Sequence, residues 1–387
     1  MGGLVTGHPV RFAGSVGLRV QRFLKIGALA VTALALVTGA VVPAAARPHD
    51  AQTRLVEAAR REGRVVVYSV LSTRAAQPLI RDFEALYPGI TVDYDGDKGS
   101  TEMDARFRSE LSVGGTSADV VWSSAMDMQM NLVKDGYAVR YRSPEARALP
   151  SWANYRSIAY GTTLEPVVFV YNKSLLQGAD IPRDHDGFAA LLMAQRERFR
   201  GKVTGFDLRK SGVGFMFAVQ DRINYPRLGN LLAAFGGADF QPSGGTGDML
   251  TGINEGKYLL GYNMMGAYAL SRSKKDLPNL GVIFPCDYTL VLSRVILLSK
   301  RAAHPNAARL WLDYTLSARG QKVLGDALEL YPIRSDVEAT YTAAQLRAAI
   351  GPSLRPIAID MRLAEPLEPA RHEALIAEWS AAIGAVR

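Results

Sequence analysis

The stretch VVVYSVLSTRAAQPLIRDFEALYPGITVDYD, residues 65–95, decides the fold. Arg64–Tyr68 is a short β-branched run with the composition of a buried strand. Ser69–Thr73 is a polar turn, and Ser72 or Thr73 can cap a helix by accepting one of its first free N–H groups. That helix carries Leu79, Ile80, Phe83 and Leu86 on its apolar face, and Pro88-Gly89 stops it. Ile90–Tyr94 then alternates as a second strand. Strand, hydroxyl turn, helix and strand in this order make a βαβ unit, which lays its strands parallel.

Outward from this unit the theme continues in both directions. A helix over Asp50–Glu62 precedes it and ends at Gly63. After it, Ser100 or Thr101 opens a helix with Met103, Phe107 and Leu111 on its apolar side. Ala118–Trp122 is a third strand, followed by Ser123-Ser124 and a helix with Met126, Met130 and Val133. Further strands are expected at Val167–Asn172, Lys202–Asp207, Tyr258–Asn263, Leu280–Phe284 and Leu290–Ser299. Ser211-Gly212-Val213-Gly214 opens an apolar helix, Ala307–Leu316 is amphipathic, and Gly351–Arg387 reads as helical. The order predicts an α/β protein of two lobes, one near 47–165 plus 287–340 and the other near 166–286 plus 341–387, with two or three strands crossing between them. Ligands of such sheets bind beyond the C-terminal ends of the strands, where helix N-termini favour anions. A single hydroxyl there is ordinarily a cap. Hydroxyls in three successive βα turns, at Ser72-Thr73, Ser100-Thr101 and Ser123-Ser124, shift the balance toward a binding site.

Residues 1–46 carry Arg11, Arg19, Arg22 and Lys25 and no acid; the run Ile26–Val42 is apolar and uncharged, and Pro43-Ala44-Ala45-Ala46 follows. This is the order of a secretory signal cleaved near Ala46. At 17 residues the run is at the bottom of the membrane-spanning range, so a retained anchor is the lesser reading. The chain has 387 residues, 48% hydrophobic and 21% charged, a composition that excludes collagen-like, coiled-coil and disordered classes and leaves room for two domains. Cys286 stands alone, so neither an intramolecular disulfide nor a cysteine zinc site can form, and the five histidines are scattered. Removing residues 1–46 lowers the net charge from +8 to +4. No dense Lys/Arg stripe alternates with aromatics, so nucleic acid is not an expected partner. A mildly basic, exported chain without disulfides suits the bacterial periplasm.

Signatures of enzyme chemistry are missing from the sequence. There is no G-x-S-x-G, phosphate-binding G-x-x-x-x-G-K-[ST], H-E-x-x-H or EF-hand pattern. Ser211 is preceded by Lys210 and has no Gly two residues before it, so it is not a nucleophile elbow. His185 and His304 fall in polar loops and read as surface residues, and Cys286 as a small core residue. The expectation is a protein that is not an enzyme and has no cofactor and no resident metal.

Six stretches in order, VVVYSVLSTRAAQPLIRDFEALYPGITVDYD, SADVVWSSAMDMQMNLVKDGY, EPVVFVYNK, RGKVTGFDLRKSGVGF, GKYLLGYN and HPNAARLWLDYTLSARGQ, resemble the periplasmic solute-binding proteins of ABC importers. The similarity is strongest to the ferric-ion-binding subgroup, which also holds receptors for phosphorylated sugars, phosphoglycerates and phosphonates. The resemblance implies two α/β lobes joined by a hinge (the type II fold), a ligand cleft that closes on binding, and docking on a membrane permease. Ferric receptors of the subgroup bring a His from the first βα turn, a Glu after the third strand and a Tyr-Tyr pair. Here Ser72, Ser124, Met264 and Met265 stand at those places. Neutral hydroxyls and thioethers are poor ligands for a hard trivalent cation, although Tyr262 and Tyr268 flank the site and keep an iron-binding alternative open.

The subgroup's anion cradle, a Ser-Gly-x helix N-terminus, is matched by Ser211-Gly212-Val213. The expected ligand is therefore a small organic anion bearing a phosphate, phosphonate or carboxylate. The candidate ligand-binding residues are Ser72, Thr73, Ser100, Thr101, Ser124, Thr162, Ser211, Gly212, Val213, Asn263 and Arg294. Arg294 lies amid apolar residues in TLVLSRVILLS, where it either snorkels at the sheet edge or is aimed into the cleft; a buried guanidinium needs a partner, such as a ligand anion or Glu165 at the hinge, unless Glu165 receives an amine on the ligand. A ligand sensor for a membrane histidine kinase, built on the same fold, is the alternative from another class.

Overall fold

The computed structural model describes residues 48–112 and 114–384. The expected export signal over 1–46 lies outside the described residues. The first helix, α1 (Pro48–Glu62), leads into β1 (Arg64–Ser69), α2 (Thr73–Leu86), β2 (Thr91–Asp95), α3 (Ser100–Ser112), β3 (Val120–Ser123) and α4 (Met126–Lys134). Ser72 caps α2 by accepting the Ala75 N–H at 3.3 Å. Strands β1–β2 and β1–β3 pair parallel, with Val67 opposite Tyr94 and Val120. The short strands β4 (Asn154–Tyr155) and β5 (Ala159–Gly161) complete this half of the chain.

The chain then enters a second sheet through β6 (Thr163–Asn172). There follow α5 (His185–Ala194), α6 (Arg196–Phe199), β7 (Val203–Phe206), α7 (Gly212–Asn224), α8 (Leu228–Gly237), β8 (Gln241–Ser243), α9 (Thr246–Asn254), β9 (Leu260–Met265), α10 (Gly266–Lys275), β10 (Leu280–Ile283) and β11 (Thr289–Leu292). Strand β12 (Val295–Leu298) returns to the first sheet, and α11 (Pro305–Leu316) and α12 (Ala318–Asp326) pack there against α1 and α2. The two-residue strand β13 (Tyr331–Pro332), α13 (Ala343–Ile350), β14 (Leu354–Pro356) and α14 (Pro369–Ala382) close the chain on the second sheet. Strand order is β2-β1-β3-β12-β5-β4 in the first sheet and β14-β11-β6-β9-β7-β8 in the second, where β10 and β13 also pair with β6.

Each sheet has its own core. Val65, Val67, Trp122, Phe83 and Trp311 are fully buried in the first, with Phe83 and Trp311 edge to face at 5.0 Å. Phe169, Phe188, Phe235 and Tyr262 interlock in the second. Most expected elements fall within two or three residues of their place. One long strand does not: Leu290–Ser299 is divided into β11 and β12, which belong to different sheets. Val291 and Leu292 pair with β6, whereas Val295 and Ile296 pair with β3 and β5. The C-terminal segment is also less helical than its sequence reads, because Leu354–Pro356 runs parallel to β11.

The two sheets are joined where β5 passes into β6 at Thr162 and β11 into β12 at Ser293-Arg294. The Thr162 N–H and Oγ1 both donate to the Arg294 carbonyl at 2.9 Å. The Arg294 N–H donates to Thr163 Oγ1 at 2.9 Å, and the Thr163 N–H to Ser293 Oγ at 3.2 Å. Trp122 Nε1 donates to Thr162 Oγ1, also at 2.9 Å. Gly161 allows this approach: a Cβ there would stand 2.5 Å from Ser293 Oγ.

Candidate functional site

Arg294 is fully buried at this crossover. Its Nη2 donates to Glu165 Oε2 at 3.0 Å and to Tyr268 Oη at 3.2 Å. Its Nε is 2.8 Å from Glu165 Oε1, an ion-pair contact out of hydrogen-bond alignment, and Nη1 has no partner among the described residues. Glu165 Oε1 also accepts from Thr163 Oγ1 at 2.8 Å. Burial works against the charge of Arg294, but the Glu165 carboxylate and the Tyr268 phenol outweigh it and hold its pKa above the usual value. From the first lobe, Tyr94 at the end of β2 comes within electrostatic reach of both Arg294 and Tyr268, and burial pushes its phenol pKa up. The Tyr94 hydroxyl donates to the Leu71 carbonyl at 3.1 Å. Glu165, Arg294, Tyr268 and Tyr94 thus bring the hinge, α10 and the β1–α2 turn to one place.

A second meeting of the lobes lies at the N-terminus of α7. Ser211 Oγ caps the helix by accepting the Gly214 N–H at 3.1 Å. For the N–H groups of Gly212 and Val213 the helix has no acceptor of its own. Facing Gly212 are Ser100, at the start of α3, and Met128, in the first turn of α4. A Cβ on Gly212 would stand 3.2 Å from Ser100 Oγ and 3.0 Å from Met128 Sδ. Two helix N-termini therefore face each other across the lobes, each with the partial positive charge of its dipole.

The other candidates divide. Ser124 is buried in the turn after β3. Thr101 is exposed. Ser72 is engaged as the α2 cap, and Thr73 Oγ1 donates to Asp97 at 3.3 Å while accepting the Gly96 N–H. Thr162 spends its hydroxyl on Trp122 and Arg294 in the crossover. Asn263 has a positive φ of 52° and turns its amide inward, donating to Asp221 Oδ2 at 2.6 Å. Tyr262 donates to the same oxygen at 2.9 Å and Tyr288 to Oδ1 at 2.8 Å, so Tyr262 and Asn263 belong to a buried cluster inside the second lobe. Of the two tyrosines kept open for iron, Tyr268 is bonded to Arg294 and Tyr262 is not brought beside it.

Three residues, two of them beside these meeting points, were not singled out for a ligand site by their sequence context. Tyr94 reads there as an alternating strand residue, Met128 as one of several methionines, and His185 as surface. His185 is in fact buried, stacked on Tyr288 at 4.1 Å and paired with Asp287 at 2.9 Å. Only its position at the start of a helix of apolar residues hints at that. Among the described residues no group of three or more His, Cys, Asp or Glu side chains is placed to hold a metal ion.

Two α/β lobes crossed by a bonded hinge, with polar residues of both converging beside it, define a two-lobed binding protein. Residues 78–349 match the bacterial extracellular solute-binding protein family, and the chain belongs to that family. Its fold is shared with the substrate-binding protein of an ABC transporter from Agrobacterium tumefaciens, at 32% identity over 83% of this chain and 94% of that one, with a TM-score of 0.77. It is shared more distantly with the periplasmic binding protein AfuA from Actinobacillus pleuropneumoniae, determined with fructose-6-phosphate bound (17% identity, 83% and 99% covered, TM-score 0.65). The apo ferric ion-binding protein A of Pasteurella haemolytica is similar to the same degree (18% identity, 83% and 98% covered, TM-score 0.65). The last two likenesses are of fold alone. A comparison with curated proteins found no match. The chain is an extracellular solute-binding component of an ABC transporter, a class that works with a membrane permease and a small-molecule ligand.

Proposed function

We propose that this protein is a periplasmic receptor, exported by a signal cleaved near Ala46, that carries a small organic anion to an ABC permease and does no chemistry on it. The lobes divide at Thr162 and at Ser293-Arg294. The observation that carries the ligand class is Arg294 Nη1, a buried guanidinium donor at the junction of the lobes that has no partner among the described residues. Glu165 neutralises most of the arginine but uses only its Nε/Nη2 edge, so one donor is left for a phosphate, phosphonate or carboxylate oxygen. The opposed N-termini of α3 and α7, at Ser100 and Ser211-Gly212-Val213, favour the same charge. Ferric ion is not the cargo in this reading. Tyr268 is hydrogen-bonded to a guanidinium, Tyr262 is held inside the second lobe by Asp221, and the remaining donors are hydroxyls and thioethers.

Native mass spectrometry of the protein as isolated identifies the solute. Melting curves with fructose 6-phosphate, 3-phosphoglycerate, aminoethylphosphonate and ferric citrate then rank the classes. The expected result is a rise with one organic anion and no visible tyrosinate–iron band with ferric citrate. Arg294→Lys keeps a charge opposite Glu165 but lacks the forward nitrogen, and it should abolish the rise. A rise unchanged in Arg294→Lys, or an iron band lost on Tyr268→Phe, overturns the reading. Permease and ATPase genes beside this one favour transport over sensing.

A further inference from the structure

One face of the first lobe holds a groove unrelated to the cleft. It is walled by Ala51, Gln52 and Leu55 of α1, by the segment from Arg140 to Arg147, and by Arg309 of α11, and it encloses about 1180 Å³. Four guanidiniums line it, from Arg140, Arg142, Arg147 and Arg309, and no carboxylate does. The nearest acids are engaged elsewhere. Glu145 pairs with Arg334 at 2.6 Å, and Asp313 accepts from the Tyr141 hydroxyl and Ser143 Oγ, each at 2.6 Å. Arg140 donates to the Arg156 carbonyl and Arg309 to Asn306, with the Arg309 guanidinium also over the Tyr141 ring at 5.7 Å. Arg142 and Arg147 are exposed and make no hydrogen bond or ion pair among the described residues. Elsewhere on the surface, arginines at 106, 108, 272 and 319 are each matched by an acid. Four unmatched like charges around one hollow repel one another, and an anion relieves that repulsion.

We propose that this groove holds the receptor against an anionic bilayer, its guanidinium forks gripping phospholipid phosphates. Guanidinium geometry matches phosphate with paired donors. The hollow is several times the volume of a lone small anion and is partly open to solvent, which suits clustered headgroups. Attachment keeps a receptor near the membrane where its transporter works, and it is independent of what the cleft binds.

The test is co-sedimentation of the isolated protein with vesicles of phosphatidylcholine alone and with phosphatidylglycerol as about one lipid in three. Any apolar insertion contributes equally to both, so the difference between them is the readout. Binding to the anionic vesicles should exceed binding to the neutral ones about tenfold or more and should fall steeply with salt. Arg142→Glu/Arg147→Glu should abolish the excess, and Arg142→Lys/Arg147→Lys should keep most of it. Neither side chain has a partner among the described residues, so melting temperatures of these variants should match the parent; Arg142→Gln/Arg147→Gln serves if they do not. Equal binding to the two vesicle types, or an excess that survives charge reversal, overturns the proposal. Binding of a polyglutamate peptide without any vesicle excess also overturns it, and assigns the groove to an acidic protein segment.

Discussion

Asp127 stands in the first turn of α4 with its carboxylate fully enclosed. Oδ1 accepts the Met128 N–H at 2.8 Å, and Oδ2 has no hydrogen-bond partner among the described residues. Burial, helped by the nearby Asp104 on α3, raises its pKa from 3.8 to about 7 against the pull of the backbone N–H groups. The folded chain therefore keeps a proton that the unfolded chain releases between about pH 4 and 7, and the stability it contributes falls as pH rises through that window. Asp313 runs in the same direction, pushed to about 6 by burial. Asp127→Asn removes the charge that pH 8 would force into the interior. Urea melts should show the variant stabler than the parent by about 1–3 kcal/mol at pH 8 and nearly equal to it at pH 4. An equal difference at both pH values would mean that Asp127 does not titrate in the folded chain. Arg294 shows the opposite management of a buried charge, since Glu165 meets it at ion-pair distance and breaking either side would leave the other uncompensated.

At the scale of elements, the crossover depends on how closely β5 passes Ser293. Gly161→Ala would put a methyl 2.5 Å from Ser293 Oγ and 3.2 Å from Ala153 Cβ, and both of these residues are fully buried. The expected cost is about 1–3 kcal/mol of stability by denaturant titration. Ser293→Gly in the same chain should return part of it, and additive losses in the double mutant would separate the two sites. The βα units around residues 64–134 were legible because each signal is local: a β-branched run, a hydroxyl cap and a glycine stop within a few residues. The division of TLVLSRVILLS into β11 and β12 was not. No glycine or proline interrupts it, and the change of sheet is enforced by pairing with β6 on one side and β3 on the other, partners more than 100 residues away. The strand at Leu354–Pro356 escaped notice because three residues ending in proline carry no period. Among the candidate site residues, Ser100 was suggested by the helix-cap pattern, Gly212 by the family resemblance, and Arg294 by a charge out of place. The inward turn of Asn263 could not be anticipated, because it is set by Asp221, buried on α7.

For the whole molecule, the two lobes share a junction in which both passing chains are tied to each other. Thr162, Thr163, Ser293 and Arg294 are all fully buried and bind one another through backbone and side chain. Gln321 of α12 adds to this by donating to the Thr162 carbonyl at 3.0 Å while its own carbonyl accepts the Ile333 N–H at 2.8 Å. Rotation of one lobe on the other therefore has to be absorbed in the residues flanking the knot. The junction is expected to work as an axle rather than a flexible strap. Such an axle has a signature in solvent exchange. The amides of Thr162, Thr163 and Arg294 should be among the slowest in the chain to take up deuterium, as slow as the centre of β1, whatever the cleft contains. Fast exchange there would mean that the knot opens each time the lobes part. If the axle holds, the path of the swing is fixed by the fold, and the solute chooses only how far along it the lobes come to rest.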